Sequence, residues 1–188
     1  GASLKGVLLK NMNQEEIEER LWYNLKKWNL KKTMKIERHW CMPNHKTFEM
    51  SPVKKLIKEE LDNEYVDPFP HPFKQDAIEY LKSFKNNSVN GLVFDPPYSQ
   101  YQLNLMYKGL GKYFHNSPDK NPDDRITKYW SNCKKEIERI ARIGATVISF
   151  GWNTNGIGKS YNFKIERILI LAHGGRHNDT LITVEKKI

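Results

Sequence analysis

Residues 91 to 100 read GLVFDPPYSQ, and the run from Asp95 to Tyr98 has the residue types to do chemistry. Asp95 supplies a carboxylate that accepts hydrogen bonds or a proton, and Tyr98 supplies an aromatic face with a hydroxyl. Between them, Pro96 and Pro97 remove two backbone donors and fix two φ angles, so the main chain there is stiff. Upstream, Gly91, Leu92, Val93 and Phe94 form the short apolar run of a buried parallel strand, which sets Asp95 at its carboxyl end. The plain alternative is a strand closed by prolines, with Tyr98 as packing.

The elements around this run predict where it sits. EYVDPF reads as a strand ending in Asp67, QDAIEYLKSF as a helix opening at Asp76 and Ala77, and ATVISFGW as a strand that runs into the Gly151 to Asn155 loop. KIERILILAHGG and DTLITVEKK are β-rich runs joined by a turn at Arg176 to Asn178, which predicts an antiparallel hairpin. Trp130, Cys133, Ile137 and Ile140 mark a helix expected to end at Gly144, and residues 99 to 127 are expected to be loop. Ser51 and Pro52 cap a helix that buries Val53, Leu56, Ile57 and Leu61. The preceding RHWCMPNHKTFEM reads as irregular. From Asn13 and Glu16 on, Ile17, Leu21, Leu25 and Trp28 predict an amphipathic helix whose other face carries Arg20, Lys26, Lys27, Lys31 and Lys32.

Alternating strands and helices with a terminal hairpin predict an α/β sandwich, its sheet mostly parallel and ending in that hairpin. Such sheets bind ligands outside the carboxyl ends of their strands. Asp67, Asp95 and the loop carrying Asn153 are therefore expected along one edge, with Asn153 the first choice there for a polar contact. Arg176 and His177 are further candidates at the hairpin turn, against the alternative of a solvated turn.

The chain has 188 residues, with 31 Lys and Arg against 22 Asp and Glu, for a formal charge of +9. That balance favours a polyanionic partner, nucleic acid first. Cys41 and Cys133 stand far apart with no CxxC pair, which argues for reduced thiols, and no cluster has metal-ligand spacing. No apolar run is long enough to span a membrane and no signal-peptide core is seen, so the expected location is the cytoplasm. Residues 1–35 read as a basic amino-terminal extension and 36–188 as the catalytic domain.

On these residues the chain resembles the S-adenosylmethionine-dependent adenine-N6 DNA methyltransferases over roughly residues 40 to 188. The most specific element is DPPY, at Asp95, Pro96, Pro97 and Tyr98. VDPF, with Asp67, Pro68 and Phe69, resembles the first cofactor-binding motif. DAIEYL, opening at Asp76 and Ala77, resembles the segment bordering the adenosine, and TFEMSP, with Thr47 and Phe48, the segment closing over the methionine. ISFGWNTNGIG and AHGGRHNDT are similar to stretches of small methylases carried by phages and mobile elements of bacteria. The resemblance implies a Rossmann-like methyltransferase fold, S-adenosyl-L-methionine as cofactor, and duplex DNA with a flipped adenine as substrate. It also implies that Asp95 and the Pro96 carbonyl accept the two amine hydrogens while Tyr98 stacks on the base.

The chain departs from that pattern between Asp67 and Asp76, where FPHPFKQ is too short for the helix and strand that usually carry the ribose-binding acid. A deletion near 69–74, a flexible segment missing from this chain, or weak cofactor binding would each explain it; a missing segment is preferred because the flanking motifs are intact. Ribose recognition is assigned to no residue. With no separate recognition domain, specificity is expected from residues 99 to 127, the basic helix, a homodimer or a second subunit. An adenine-N6 methyltransferase acting on RNA and a non-catalytic nucleic-acid-binding relative are the alternatives.

Overall fold

The computed structural model describes Glu18, Glu19 and residues 34–44, 46–73 and 75–188. The amphipathic helix expected from Asn13 lies outside the described residues, apart from Glu18 and Glu19, which are helical. Residues 34–188 form one compact unit. Its strands are β1 (Lys35–Trp40), β2 (Val89–Phe94), β3 (Ala141–Gly151), β4 (Phe163–Ala172) and β5 (Thr180–Lys187). Its α-helices are α1 (Ser51–Leu61), α2 (Ala77–Lys82), α3 (Gln100–Tyr107) and α4 (Ile126–Ile140).

The strands form one sheet in the order β1-β4-β5-β3-β2. β5 pairs antiparallel with β3 and β4, while β1 runs parallel to β4 and β2 to β3, so β5 alone opposes the common direction. The hairpin expected at the end of the chain is thus present, but its second strand is inserted within the sheet. On one face, α1 buries Val53, Leu56, Ile57 and Leu61 against Val93, Ile148, Phe150, Leu169, Ile182 and Val184. On the other, α2, α3 and α4 bury Leu81, Leu103, Tyr107, Cys133 and Ile137 against Leu92, Phe94, Val147 and Phe163. Strand alternation produces both cores, since neighbouring side chains such as Val147 and Ile148 go to opposite faces. Each such large apolar side chain contributes about 1.5–3 kcal/mol on burial. The result is a Rossmann-like α/β sandwich with the carboxyl ends of β1 to β4 along one edge.

Several sequence expectations need correction. EYVDPF is not a full strand: only Val66 bridges to Leu92, in parallel, through the Val66 amide to the Gly91 carbonyl and the Val93 amide to the Val66 carbonyl. Residues 99 to 127 are not all loop, because Ser99 caps α3 by accepting from the Gln102 amide, and Leu103 and Tyr107 face the core one turn apart. Helix α4 does not reach Gly144: it ends at Ile140 and the chain enters β3 at once, with Gly144 at positive φ inside the strand. The first turn of α1 starts at Ser51, and the N-cap is Met50 without a side-chain hydrogen bond.

The segment read as irregular before α1 begins inside a strand, β1, which contains Arg38, His39 and Trp40. Arg167 on β4 holds that edge in place. It donates to Glu37 of β1 at 2.5 Å and to Glu59 and Glu60 of α1 at 3.0 and 3.1 Å. The guanidinium fork suits several carboxylates at once; Arg167 is only 15% exposed, while its partner Glu59 is 41% exposed and reaches solvent.

Candidate active site

β2 ends at Phe94, and Asp95 follows at the edge where β3 ends in Gly151 and the Val66 segment ends in Asp67. The Tyr98 hydroxyl donates to Asp95 Oδ1, and the Thr47 hydroxyl is hydrogen-bonded to the same carboxyl group. Tyr98 is held from behind as well, its amide donating to Gln102 Oε1 at 2.9 Å on the first turn of α3. Burial pushes the Asp95 carboxyl up from the ordinary carboxylate range, and the bonds from Tyr98 and Thr47 pull it partly back.

Asp67 lies close enough to feel that charge. Its pKa is raised to about 6, mainly by burial, with a hydrogen bond from the Phe69 amide (2.8 Å) opposing and Asp95 adding to the rise. Two neighbouring carboxylates in a poorly solvated place are stabilised by a cation. Phe48, next to Thr47, packs on Phe150 of β3 at 5.3 Å between ring centres and meets Tyr65 edge-on at 6.3 Å. The structure therefore brings Thr47, Phe48, Asp67, Asp95 and Tyr98 together from segments far apart in the chain.

The Asp67 shift has a consequence for stability. Below about pH 4 the group is protonated folded and unfolded, so it costs nothing. Between about 4 and 6 the unfolded carboxylate ionises while the folded one keeps its proton, and the native state loses stability as pH rises; above 6 the loss levels off at about 3 kcal/mol or less. Asp67→Asn keeps an acceptor for the Phe69 amide and cannot ionise. Urea unfolding without ligand should therefore show the variant gaining on the wild type from pH 4 to 6.5 and holding a constant lead above; parallel curves would exclude the raised pKa.

The Pro96–Tyr98 run that follows Asp95 borders a cavity of about 230 Å³. Pro96, Pro97 and Tyr98 line one wall, Ser149 to Asn153 with Asn155 and Gly156 another, and Trp130 and Lys134 of α4 complete it. It is smaller than the roughly 300–1,000 Å³ of sites for larger ligands, a scale that suits one heterocyclic ring system. The rings of Tyr98 and Trp152, both of which line it, stand 5.4 Å apart at 47°. Asn153 lines it, its Oδ1 accepting from the Asn155 amide at 3.0 Å.

Other sequence candidates sit elsewhere or are engaged. Asp76 caps α2 by accepting from the Ile78 and Glu79 amides at 2.9 and 3.0 Å, and its second oxygen pairs with Lys112 at 2.6 Å. The Ala77 amide donates to the Tyr107 hydroxyl at 3.0 Å. Asp76 stands at a different hollow, of about 650 Å³, which Lys112 and Tyr113 help to line. Arg176 and His177 are exposed in the β4–β5 turn and do not line the Tyr98 cavity. His173 is buried, its Nδ1 at 2.8 Å from the Cys41 carbonyl and its Nε2 at 2.9 Å from Thr180 Oγ1, a packing role.

Within the short connection between Asp67 and Asp76, Phe69 and Phe73 close directly onto the core. Phe69 is buried, 5.8 Å from the Phe94 ring and 6.3 Å from Phe73, which in turn packs at 5.1 Å on Tyr107. The aromatic side chains of this short connection fill the space beside β2, and among the described residues no strand extends the sheet beyond Val66.

Two polar residues were not singled out in the sequence, Lys134 on the cavity wall and Glu185 behind it. Glu185 is fully buried in β5, and the Lys134 ammonium donates to the Gly156 carbonyl. Neither stands in a motif. An acid inside the β-rich run TLITVEKK was the one available signal.

Among the described residues no group of three or more His, Cys, Asp or Glu side chains could hold a metal ion, and no helix is long and apolar enough to cross a membrane. Cys41 and Cys133 are not disulfide-bonded.

No protein-family model matches the chain, and no curated protein does. Among solved structures it is similar to TrmN from Thermus thermophilus, at 14% identity and a TM-score of 0.38, over 61% of this chain and 27% of TrmN. It is also similar to a candidate type 11 methyltransferase from Sulfolobus solfataricus, at 15% identity and a TM-score of 0.28, over 86% of this chain and 88% of that one. A third is yhhF from Escherichia coli, a candidate methyltransferase, at 8% identity and a TM-score of 0.33, over 95% of this chain and 89% of that one. The chain spans about a quarter of TrmN. Likenesses this distant say nothing of the reaction, which rests on the residues of the site.

Proposed function

We propose that the chain is an S-adenosylmethionine-dependent methyltransferase acting on the N6 amine of adenine in DNA, with the base turned out of the helix. The observation that carries this reading is the single strand end at which Asp95 meets the Tyr98 and Thr47 hydroxyls, with Asp67 nearby and a cavity sized for one heterocyclic ring system lined by Pro96, Pro97 and Tyr98.

The residues fit the cofactor at its cationic end. S-adenosylmethionine carries a sulfonium and an ammonium, and Asp67, a poorly solvated carboxylate with Asp95 nearby, is the group that would take such a cation. Thr47, Phe48, Asp67, Pro68 and Phe69 would hold it. Bound there, it supplies an activated methyl group. For its adenosine end, Asp76 and Ala77 are the candidates, and they would have to give up the bonds to Lys112 and Tyr107.

The chain's own groups do the rest. An exocyclic amine is a poor nucleophile because its lone pair is shared with the ring. Asp95 and the Pro96 carbonyl would accept its two hydrogens and favour the tetrahedral, nucleophilic form of the amine that takes the methyl group. The proton leaves after the amine has become cationic, so Asp95 need not be a strong base. Turning the base out costs a few kcal/mol, which stacking on Tyr98 and Trp152 and a polar contact to Asn153 would partly recover. The formal charge of +9 suits the phosphate backbone.

The test is transfer of labelled methyl from S-adenosylmethionine to duplex DNA, its separated strands and matched RNA, with the product nucleoside identified by mass spectrometry. N6-methyladenine in DNA is the expected product. Product in RNA alone would give the reaction an RNA substrate. The aromatic closure at Phe69 and Phe73 and the engaged Asp76 and Ala77 favour one second reading, a nucleic-acid-binding protein without catalysis. No product together with no calorimetric binding of S-adenosylmethionine would decide for it.

A further inference from the structure

Glu185 has no solvent exposure and sits mid-strand in β5, between β3 and β4. A lone carboxylate costs several kcal/mol in such a place, and an apolar side chain would be the stable choice. Its oxygens are instead fully used. They accept from the Ile157 amide at 2.7 Å, the Gly158 amide at 2.9 Å and the Ser149 hydroxyl at 3.2 Å. Burial pushes its pKa up, while those three bonds and the Lys134 charge pull it back.

The loop is moulded on this group. Gly156 has a φ of +54°, and a Cβ there would overlap the Glu185 carboxylate, so no other residue fits without moving it. From α4, Lys134 holds the same residue by donating to its carbonyl. Asn153, Asn155 and Gly156 of this loop and Ser149 of β3 form the cavity wall that faces Pro96, Pro97 and Tyr98. Every group that Glu185 binds thus belongs to that wall or adjoins it.

We propose that Glu185 is a positioning residue for the base cavity, a buried carboxylate that fixes the Asn153–Gly158 loop through Ile157, Gly158 and Ser149 and so sets the width of the slot opposite Tyr98. This rests on the methyl-transfer reading above. The chemistry explains the choice of an acid, since two converging amides and a hydroxyl need a group that only accepts. A glutamine offers one oxygen and turns an NH₂ toward the remaining donors.

The test compares the wild type with Glu185→Gln, and with Gly156→Ala in case the first does not fold, folding being checked by circular dichroism. Hydrogen exchange should show the Ile157 and Gly158 amides losing protection while the β3 and β5 amides keep theirs. With duplex DNA, KM should rise about tenfold or more with a smaller change in kcat, and S-adenosylmethionine affinity by calorimetry should stay within about twofold. Unchanged exchange would overturn the clamp, and faster exchange with unchanged KM would overturn its positioning role. An inactive wild type would remove the methyl-transfer reading itself and this role with it, a result distinct from either because it appears before any variant is compared.

Discussion

Asp95→Ala should lower single-turnover methyl transfer by about 10³-fold or more while S-adenosylmethionine affinity stays within about twofold. The large factor follows from where the acceptor acts. The adenine amine becomes basic only as it turns tetrahedral, so a carboxylate aimed at its hydrogens is worth far more during attack than before it. Burial adds to this, because a poorly solvated carboxylate meets a developing positive charge with little screening. Cofactor affinity should change little, because Thr47, Phe48 and Asp67 remain in place.

A second readout separates chemistry from collapse of the site. Asp95 contributes to the raised pKa of Asp67, so its removal should move the Asp67 titration down from about 6, which carboxyl-carbon NMR would follow. Retained turnover would displace Asp95 from the centre of the mechanism. Lost turnover with an unmoved Asp67 would mean that the two groups do not sense each other as the geometry requires.

Much of this arrangement was legible in the chain because local patterns and the global fold agree there. Leu92 to Phe94, Val147 to Phe150 and Ile168 to Leu171 are apolar runs that only a sheet covered on both faces can use, and all became strands. What was missed depends on distant partners. β1 exposes most of its residues and owes its place to pairing with β4 and to the Arg167 cluster, with Glu37 lying 130 positions from Arg167. α3 has no clean amphipathic pattern, since Tyr101 and Leu105 are exposed while Leu103 and Tyr107 are buried, and its Ser99 cap follows directly on a motif that claimed attention for chemistry. Asp76 sits at a true helix start, but its sequence could not show that Lys112 would come to pair with it. Glu185 is the clearest case: an acid among strand residues reads as a solvent-facing position, and the loop that needs it lies 27 and 28 residues upstream.

The second large effect should come from Tyr98, and the two obvious substitutions should differ in kind. Tyr98→Ala removes the stacking face, which is worth about 1–3 kcal/mol per base, so transfer should fall on the order of 10²-fold. Tyr98→Phe keeps that face and loses only the hydroxyl. In the structure the hydroxyl donates to Asp95, the same carboxylate that must receive the amine, so it has to yield when the base arrives. Its loss therefore removes a competitor as well as a support, and the rate at high pH should stay within a few-fold of wild type. The acid side of the pH profile should respond differently. The Tyr98 bond lowers the Asp95 pKa, so without it Asp95 holds its proton to higher pH, and transfer that needs the ionised carboxylate should switch on later as pH rises. Transfer rates of both variants measured from pH 5 to 9 would check this. An acid limb displaced upward for both variants, with a large loss persisting at high pH for Ala alone, is the expected pattern. Equal losses at every pH would show that the hydroxyl matters for more than holding Asp95, and that stacking is not what Tyr98 supplies.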